Sequence, residues 1–210
     1  MIPFLMAVGL LVEAVAWWAI ARRGASVWAT MTPVLVGLGI VALLTGRPTL
    51  ADDPGLAVIA GVAAGVALYV ATAAFLAIVA PRWSAFRRQS TQIYGRQVPL
   101  ALGTVLLLSV VLMVPGEEVF WRGLFLPELR SAADGGLLGA VLAWLAFVAA
   151  NLPSLNLAIV AGAAVGGVVW VTLAVWSGGV LAGLLCHACW TGLMLVLPPV
   201  RSTPEEGRRE

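Results

Sequence analysis

Residues 55–80 read GLAVIAGVAAGVALYVATAAFLAIVA, 26 consecutive positions without a charged side chain. A hydrocarbon core about 30 Å thick is crossed by about 20 helical residues, each rising about 1.5 Å. The stretch is therefore long enough to span a bilayer, and only a closed barrel or a helix satisfies its backbone polar groups there. The alternating segments of about 10 residues that a barrel needs are missing. Further apolar runs lie at 2–21, 28–45, 98–116, 136–152, 156–176 and 179–197. The expected fold is all-α and polytopic, a bundle of about seven transmembrane helices. Composition agrees: of 210 residues, 61% are hydrophobic and 10% charged, with a mean hydropathy of +1.02, whereas soluble domains carry about 25% charge.

Residues 1–197 read as one transmembrane domain, and the polar stretch 198–210 as a disordered tail. Twelve Arg, no Lys and ten acidic residues leave a net charge of +2, too little to neutralise nucleic-acid phosphates, so no nucleic-acid partner is expected. Two cysteines cannot make a disulfide scaffold. Arg placement in the short loops gives an orientation. Arg22, Arg23, Arg82, Arg87, Arg88, Arg96, Arg201, Arg208 and Arg209 fall on one side, against Arg47 and Arg130 on the other. The Arg-rich side should be cytoplasmic, with the N-terminus outside and the C-terminus inside a plasma, or inner, membrane. Trp17, Trp18, Trp28 and Trp83 would form its interfacial belt. The first span lacks a basic n-region and is followed by Arg22 and Arg23, so it reads as a retained anchor rather than a signal peptide. The Lys-free, Arg-rich usage points to a high-GC bacterium.

Segment 81–97, PRWSAFRRQSTQIYGRQ, reads either as a solvated basic loop or as a short amphipathic helix on the anionic leaflet. Gly61 with Gly65, Gly162 with Gly166 and Gly179 with Gly183 have the spacing that lets membrane helices approach closely, here to pack the bundle.

An ionisable group at bilayer depth costs about 2.5–3.5 kcal/mol, so each one needs a reason. Glu13 sits midway along the first span, and Glu117, Glu118 and Arg122 cluster in PGEEVFWRG at the end of the fourth. Glu118 and Arg122 are four apart and share a helix face, in the favourable order for an ion pair. Glu117 is rotated by about 100° and faces something else. A carboxylate in that position can serve as a general base; the bland alternative is an ion cluster closing the bundle. Glu13 reads as a hydrogen-bonded partner or as the counter-ion of a buried donor.

His187 lies in the last span, in GLLCHACWTGLM, with Thr191 four residues on and on the same face. Two donors pointing one way suit an anion. Cys186 and Cys189 flank it in the wrong order for haem attachment and without a thioredoxin-like context. One His in the chain rules out a paired-His metal site, and no cofactor is expected.

The order of these residues is itself informative: Glu117, Glu118 and Arg122 as E-E-x-x-x-R, then Phe147 with Asn151 four later, then His187 with Thr191 four later. Over roughly 98–197 the chain resembles the CAAX-protease and bacteriocin-processing (CPBP, or Abi) family of intramembrane proteases. The resemblance implies that Glu117 activates a water, that Glu118 and Arg122 complete and orient the site, and that His187 helps stabilise an oxyanion. Two positions depart from the family's motifs. Asn151 stands where F-x-x-x-H has its His, and Thr191 where H-x-x-x-N has its Asn. Threonine still donates a hydrogen bond, whereas an amide positions water without accepting its proton.

The implied activity is glutamate-dependent hydrolysis of a peptide bond in a membrane-tethered protein or peptide, such as a C-terminal sorting tail or a prenyl-protein-like substrate. The competing readings are an inactive relative that binds a transmembrane partner, favoured by Asn151, and a proton-coupled carrier using Glu13, Glu117 and Glu118. Simple spans also leave a difficulty of depth. Glu117 falls near the outer end of the fourth and Asn151 near the inner end of the fifth, about 20 Å apart at 1.5 Å per residue. A sliding or tilted fourth helix, or reorientation at Pro115 and Gly116, would bring them together.

Overall fold

A computed structural model describes residues 1–46, 48–95 and 100–199. Most of the tail expected over 198–210 lies outside the described residues, as do Arg47, Arg96, Arg201, Arg208 and Arg209. Among the described residues eight helices follow one another: α1 (Ile2–Arg23), α2 (Val27–Thr45), α3 (Pro54–Val79), α4 (Ser84–Gly95), α5 (Leu102–Ala132), α6 (Leu137–Asn151), α7 (Leu157–Ser177) and α8 (Leu181–Val196). No strand occurs among the described residues. Six of the eight, α1, α2, α3, α5, α6 with its following turn, and α7, are long and apolar enough to cross a membrane. The all-α polytopic fold is as expected, with one adjustment at the seventh apolar run: α8 is apolar but only 16 residues long.

The fourth span differs most from its sequence reading. Instead of ending near residue 116, α5 continues for 31 residues, about 46 Å at 1.5 Å per residue. The helix does not break at Pro115 and Gly116. It widens into π-helix over Leu107–Met113 and again over Trp121–Phe125. Each widened stretch ends two residues before a proline, Pro115 and Pro127. A proline ring collides with the carbonyl four residues back in a regular helix, and a wider turn relieves that collision.

Close backbone contacts fix α5 and α8 in the bundle. A Cβ on Gly39 of α2 would lie 2.6 Å from the Gly116 Cα of α5. A Cβ on Gly61 would lie 2.6 Å from the Ala182 carbonyl oxygen, and one on Gly65 2.7 Å from that of Cys186. The Gly61 and Gly65 pair thus seats α3 against α8 within one chain. Gly162 meets only the end of the Trp190 side chain, at 3.5 Å, so its pair makes no comparable backbone contact.

The outer surface carries large apolar side chains such as Leu11, Ile59, Val70, Leu107 and Val165, all exposed, as a lipid-facing surface requires. The α2–α3 connection lies against the α7–α8 turn: Val180 and Leu181 donate backbone hydrogen bonds to the Thr49 and Leu50 carbonyls at 3.0 and 2.9 Å. At the other end, Ser84–Gly95 of segment 81–97 form the amphipathic α4 rather than a solvated loop, and residues 96 and 97 lie outside the described residues. Phe86 and Ser90 are buried while Arg87 and Arg88 are exposed. The Asn156 amide donates to the Gln89 carbonyl at 3.0 Å, joining α4 to the turn that precedes α7. Trp18 and Trp83 are exposed at this end, whereas Trp17 and Trp28 line an internal cavity and do not belong to an outer belt.

Candidate active site

Position along the helices decides which of the polar residues meet. Glu117 is the sixteenth of the 31 residues of α5, so it lies at mid-height. The 15-residue α6 ends at Asn151, whose amide reaches Glu13 midway along α1, and hands the chain to a 3-10 turn over Leu152–Ser154. The depth separation expected from simple spans is removed by a long α5 and a short α6.

The two spans then share one cavity of about 590 Å³. Glu117, Asn151, His187 and Thr191 all border it, and most of the remaining wall is apolar or aromatic, with Thr72, Ser90, Ser109, Ser154 and Asn156 as further polar residues. From these four the cavity runs to the end of the bundle that holds α4, the α1–α2 connection and the α6–α7 turn, past Trp28, Phe75, Phe86 and Met194. Glu117 is partly exposed to it.

Behind the cavity wall lies a buried charged layer. Glu118 is fully buried; its Oε1 is 2.8 Å from His187 Nδ1 and 3.2 Å from Arg122 Nη1. The i, i+4 pair expected between Glu118 and Arg122 is therefore present. Because a carboxylate only accepts, the imidazole presents its N–H at Nδ1 to Glu118, which leaves Nε2 as the other ring nitrogen. His187 is also stacked on Trp170, with ring centres 3.7 Å apart and planes inclined by 15°. Arg122, 2% exposed, sits with its guanidinium carbon 4.4 Å from the Phe147 ring centre and 5.2 Å from that of Trp170. Rings at these distances attract a cation, and Arg122 has no aligned hydrogen bond to any described residue.

Glu13, 0% exposed, faces this layer from α1. Trp121 Nε1 donates to its Oε2 at 2.8 Å, and Asn151 Nδ2 donates to its Oε1 at 3.4 Å. The hydrogen-bonded reading of Glu13 holds, and the buried donors are an indole and an amide. Two aromatic residues had no functional signal in the sequence, since Trp121 and Trp170 on apolar helices read as packing. Cys186 and Cys189 are both free thiols. Among the described residues, no three His, Cys, Asp or Glu side chains are placed to hold a metal.

This arrangement puts a carboxylate and three polar side chains on the wall of one largely apolar cavity. Residues 99–193 match the family model described as type II CAAX prenyl endopeptidase Rce1-like. The match is consistent with the CPBP resemblance. No curated protein matches the chain, and no solved structure does. The matched segment covers a little under half the chain and takes in Glu117, Glu118, Arg122, Asn151, His187 and Thr191. Glu13 lies outside it, on a helix that precedes the match. The match supports an intramembrane protease kind for this multi-pass membrane protein.

Proposed function

We propose that this protein is an intramembrane endopeptidase in which Glu117 activates water against a peptide bond of a membrane-tethered protein or peptide. One observation carries the reading: the Glu117 carboxylate, which receives no hydrogen bond from another described residue, borders the same cavity as Asn151, His187 and Thr191. A water between Glu117 and Asn151 gives its proton to the carboxylate as its oxygen attacks the carbonyl carbon. The resulting oxyanion is met by the Thr191 hydroxyl and by the His187 imidazole, whose Nδ1 is held by Glu118 at 2.8 Å. Donors held in place in a water-poor cavity contribute about 3–4 kcal/mol each to such a step. The proton on Glu117 then passes to the leaving amine as the C–N bond breaks.

The matching family is described as a CAAX prenyl endopeptidase. A cavity of about 590 Å³ with mainly apolar walls suits a lipid-modified or otherwise hydrophobic tail. The cavity extends to the Arg-rich end of the bundle, so substrate enters from the side assigned to the cytoplasm. No nucleic acid takes part.

The test compares the N- and C-termini of membrane proteins by mass spectrometry between wild-type cells and cells carrying Glu117→Gln, which changes one charge and little shape. Products that disappear in Glu117→Gln, a loss of about 100-fold or more, establish the peptidase and reveal its substrate class. Identical termini at equal protein levels overturn the reading and favour a relative that binds a transmembrane segment without cleaving it.

A further inference from the structure

We propose that Glu13, on a helix outside the matched segment, is a positioning residue that sets the Asn151 amide so that its carbonyl oxygen faces the water at Glu117. The inference rests on the peptidase reading above and deepens it.

Asn151 is 4% exposed and borders the cavity. Its two protein neighbours on the buried side are both acceptors: the Phe147 carbonyl at 2.9 Å and Glu13 Oε1 at 3.4 Å. Only the NH₂ end of an amide satisfies two acceptors at once, so Nδ2 is turned inward and Oδ1 is the remaining polar atom. The Phe147 carbonyl belongs to the same helix, four residues back, and is available to any Asn in that place. Glu13 is the partner that tertiary structure adds. Its other oxygen is held by Trp121 Nε1 at 2.8 Å, three residues after Glu118 on the helix that carries Glu117. One carboxylate thus joins α5 and α6 across the site.

The chemistry explains why an acidic residue is suited to this place. The family's second motif has a His at this position, which can both hold a water and take its proton. Asn151 can only hold it, by accepting a hydrogen bond from the water at Oδ1. If the amide turned over, Nδ2 would face the cavity and donate to the water oxygen, engaging the lone pair that must attack the carbonyl carbon. A carboxylate at position 13 disfavours that rotamer, because Oδ1 would then lie against Oε1, acceptor to acceptor.

The experiment measures turnover of the cleavage product found with Glu117→Gln as the null control, in native membranes, for Glu13→Gln, Asn151→Asp and the double variant. The amide introduced by Glu13→Gln can accept from Trp121 or from Asn151 but places its NH₂ against the other donor. The expected result for Glu13→Gln is a fall in kcat of about 10- to 100-fold with KM within about twofold, the size of effect that a misplaced reactant produces. Asn151→Asp alone sets two carboxylates side by side and loses activity similarly. In the double variant the amide now at position 13 can donate to the carboxylate now at position 151. There kcat rises at least about tenfold over either single variant, a coupling that a merely structural role would not produce. Should Glu13→Gln fail to accumulate, Trp121→Phe, which removes only the indole hydrogen bond to the same carboxylate, is measured instead and is expected to lower kcat severalfold. Wild-type kcat in Glu13→Gln or its substitute, or losses in the double variant that multiply, overturns this inference while leaving the peptidase reading intact. Unchanged products in Glu117→Gln overturn both.

Discussion

Arg122 carries a full charge among aromatic rings, 3.2 Å from a Glu118 carboxylate oxygen. Removing one member of a buried pair leaves an uncompensated charge and costs about 3–5 kcal/mol, whereas replacing both with apolar or neutral groups of similar size is often tolerated. Arg122→Met is therefore expected to lower stability by about that amount, and Arg122→Met with Glu118→Gln to recover most of it, as read by thermal unfolding in detergent. Activity should not recover with stability, because Glu118 also holds His187 at 2.8 Å. Pairing at this scale was legible in advance: Glu118 and Arg122 sit four apart on any helix. The partner of Glu13 was not, since its donors, Trp121 and Asn151, are 108 and 138 residues away.

Between elements, the contacts that matter are those where two backbones touch. A Cβ on Gly116 would come within 2.7 Å of the Leu35 carbonyl carbon, and one on Gly61 within 3.1 Å of the Ala182 Cα. Neither neighbour is a flexible side chain that can swing aside. Gly116→Ala and Gly61→Ala are expected to destabilise by about 1–3 kcal/mol each through overpacking, while Gly162→Ala, facing the Trp190 side chain at 3.5 Å, should stay close to wild type in the same thermal measurement. The spacing of Gly61 and Gly65 announced a close approach, yet Gly39 and Gly116 carry no paired motif and become visible only where α2 and α5 cross. The length of α5 was hidden for a related reason. Charges at 117, 118 and 122 look like the end of a span when each is counted as a cost on its own, and they become interior once Glu13, His187 and the rings around Arg122 compensate them.

At the scale of the whole molecule, the cavity, α4 and the α6–α7 turn lie toward one end, and the α2–α3 and α7–α8 connections toward the other. On the Arg distribution the first end is expected to face the cytoplasm. With Cys186 and Cys189 replaced by Ala, Leu50→Cys at an exposed position should react with a membrane-impermeant maleimide in intact cells, and Arg88→Cys, also exposed, only after permeabilisation. The opposite pattern would invert the orientation and place substrate entry on the outer face. What sequence alone determined here is whatever depends on local or summed quantities. Apolar length and charge scarcity dictate a helical membrane bundle, and motif order on successive spans carries the likeness to the Rce1-like model and singles out Glu117, Asn151, His187 and Thr191, which border one cavity. Tertiary structure alone decided the depth at which those residues meet, the π-widened continuation of α5, and the recruitment of Glu13 to Asn151. A hydrogen bond between residues 138 positions apart has no periodicity to betray it, because it exists only when two helices are packed in one particular register.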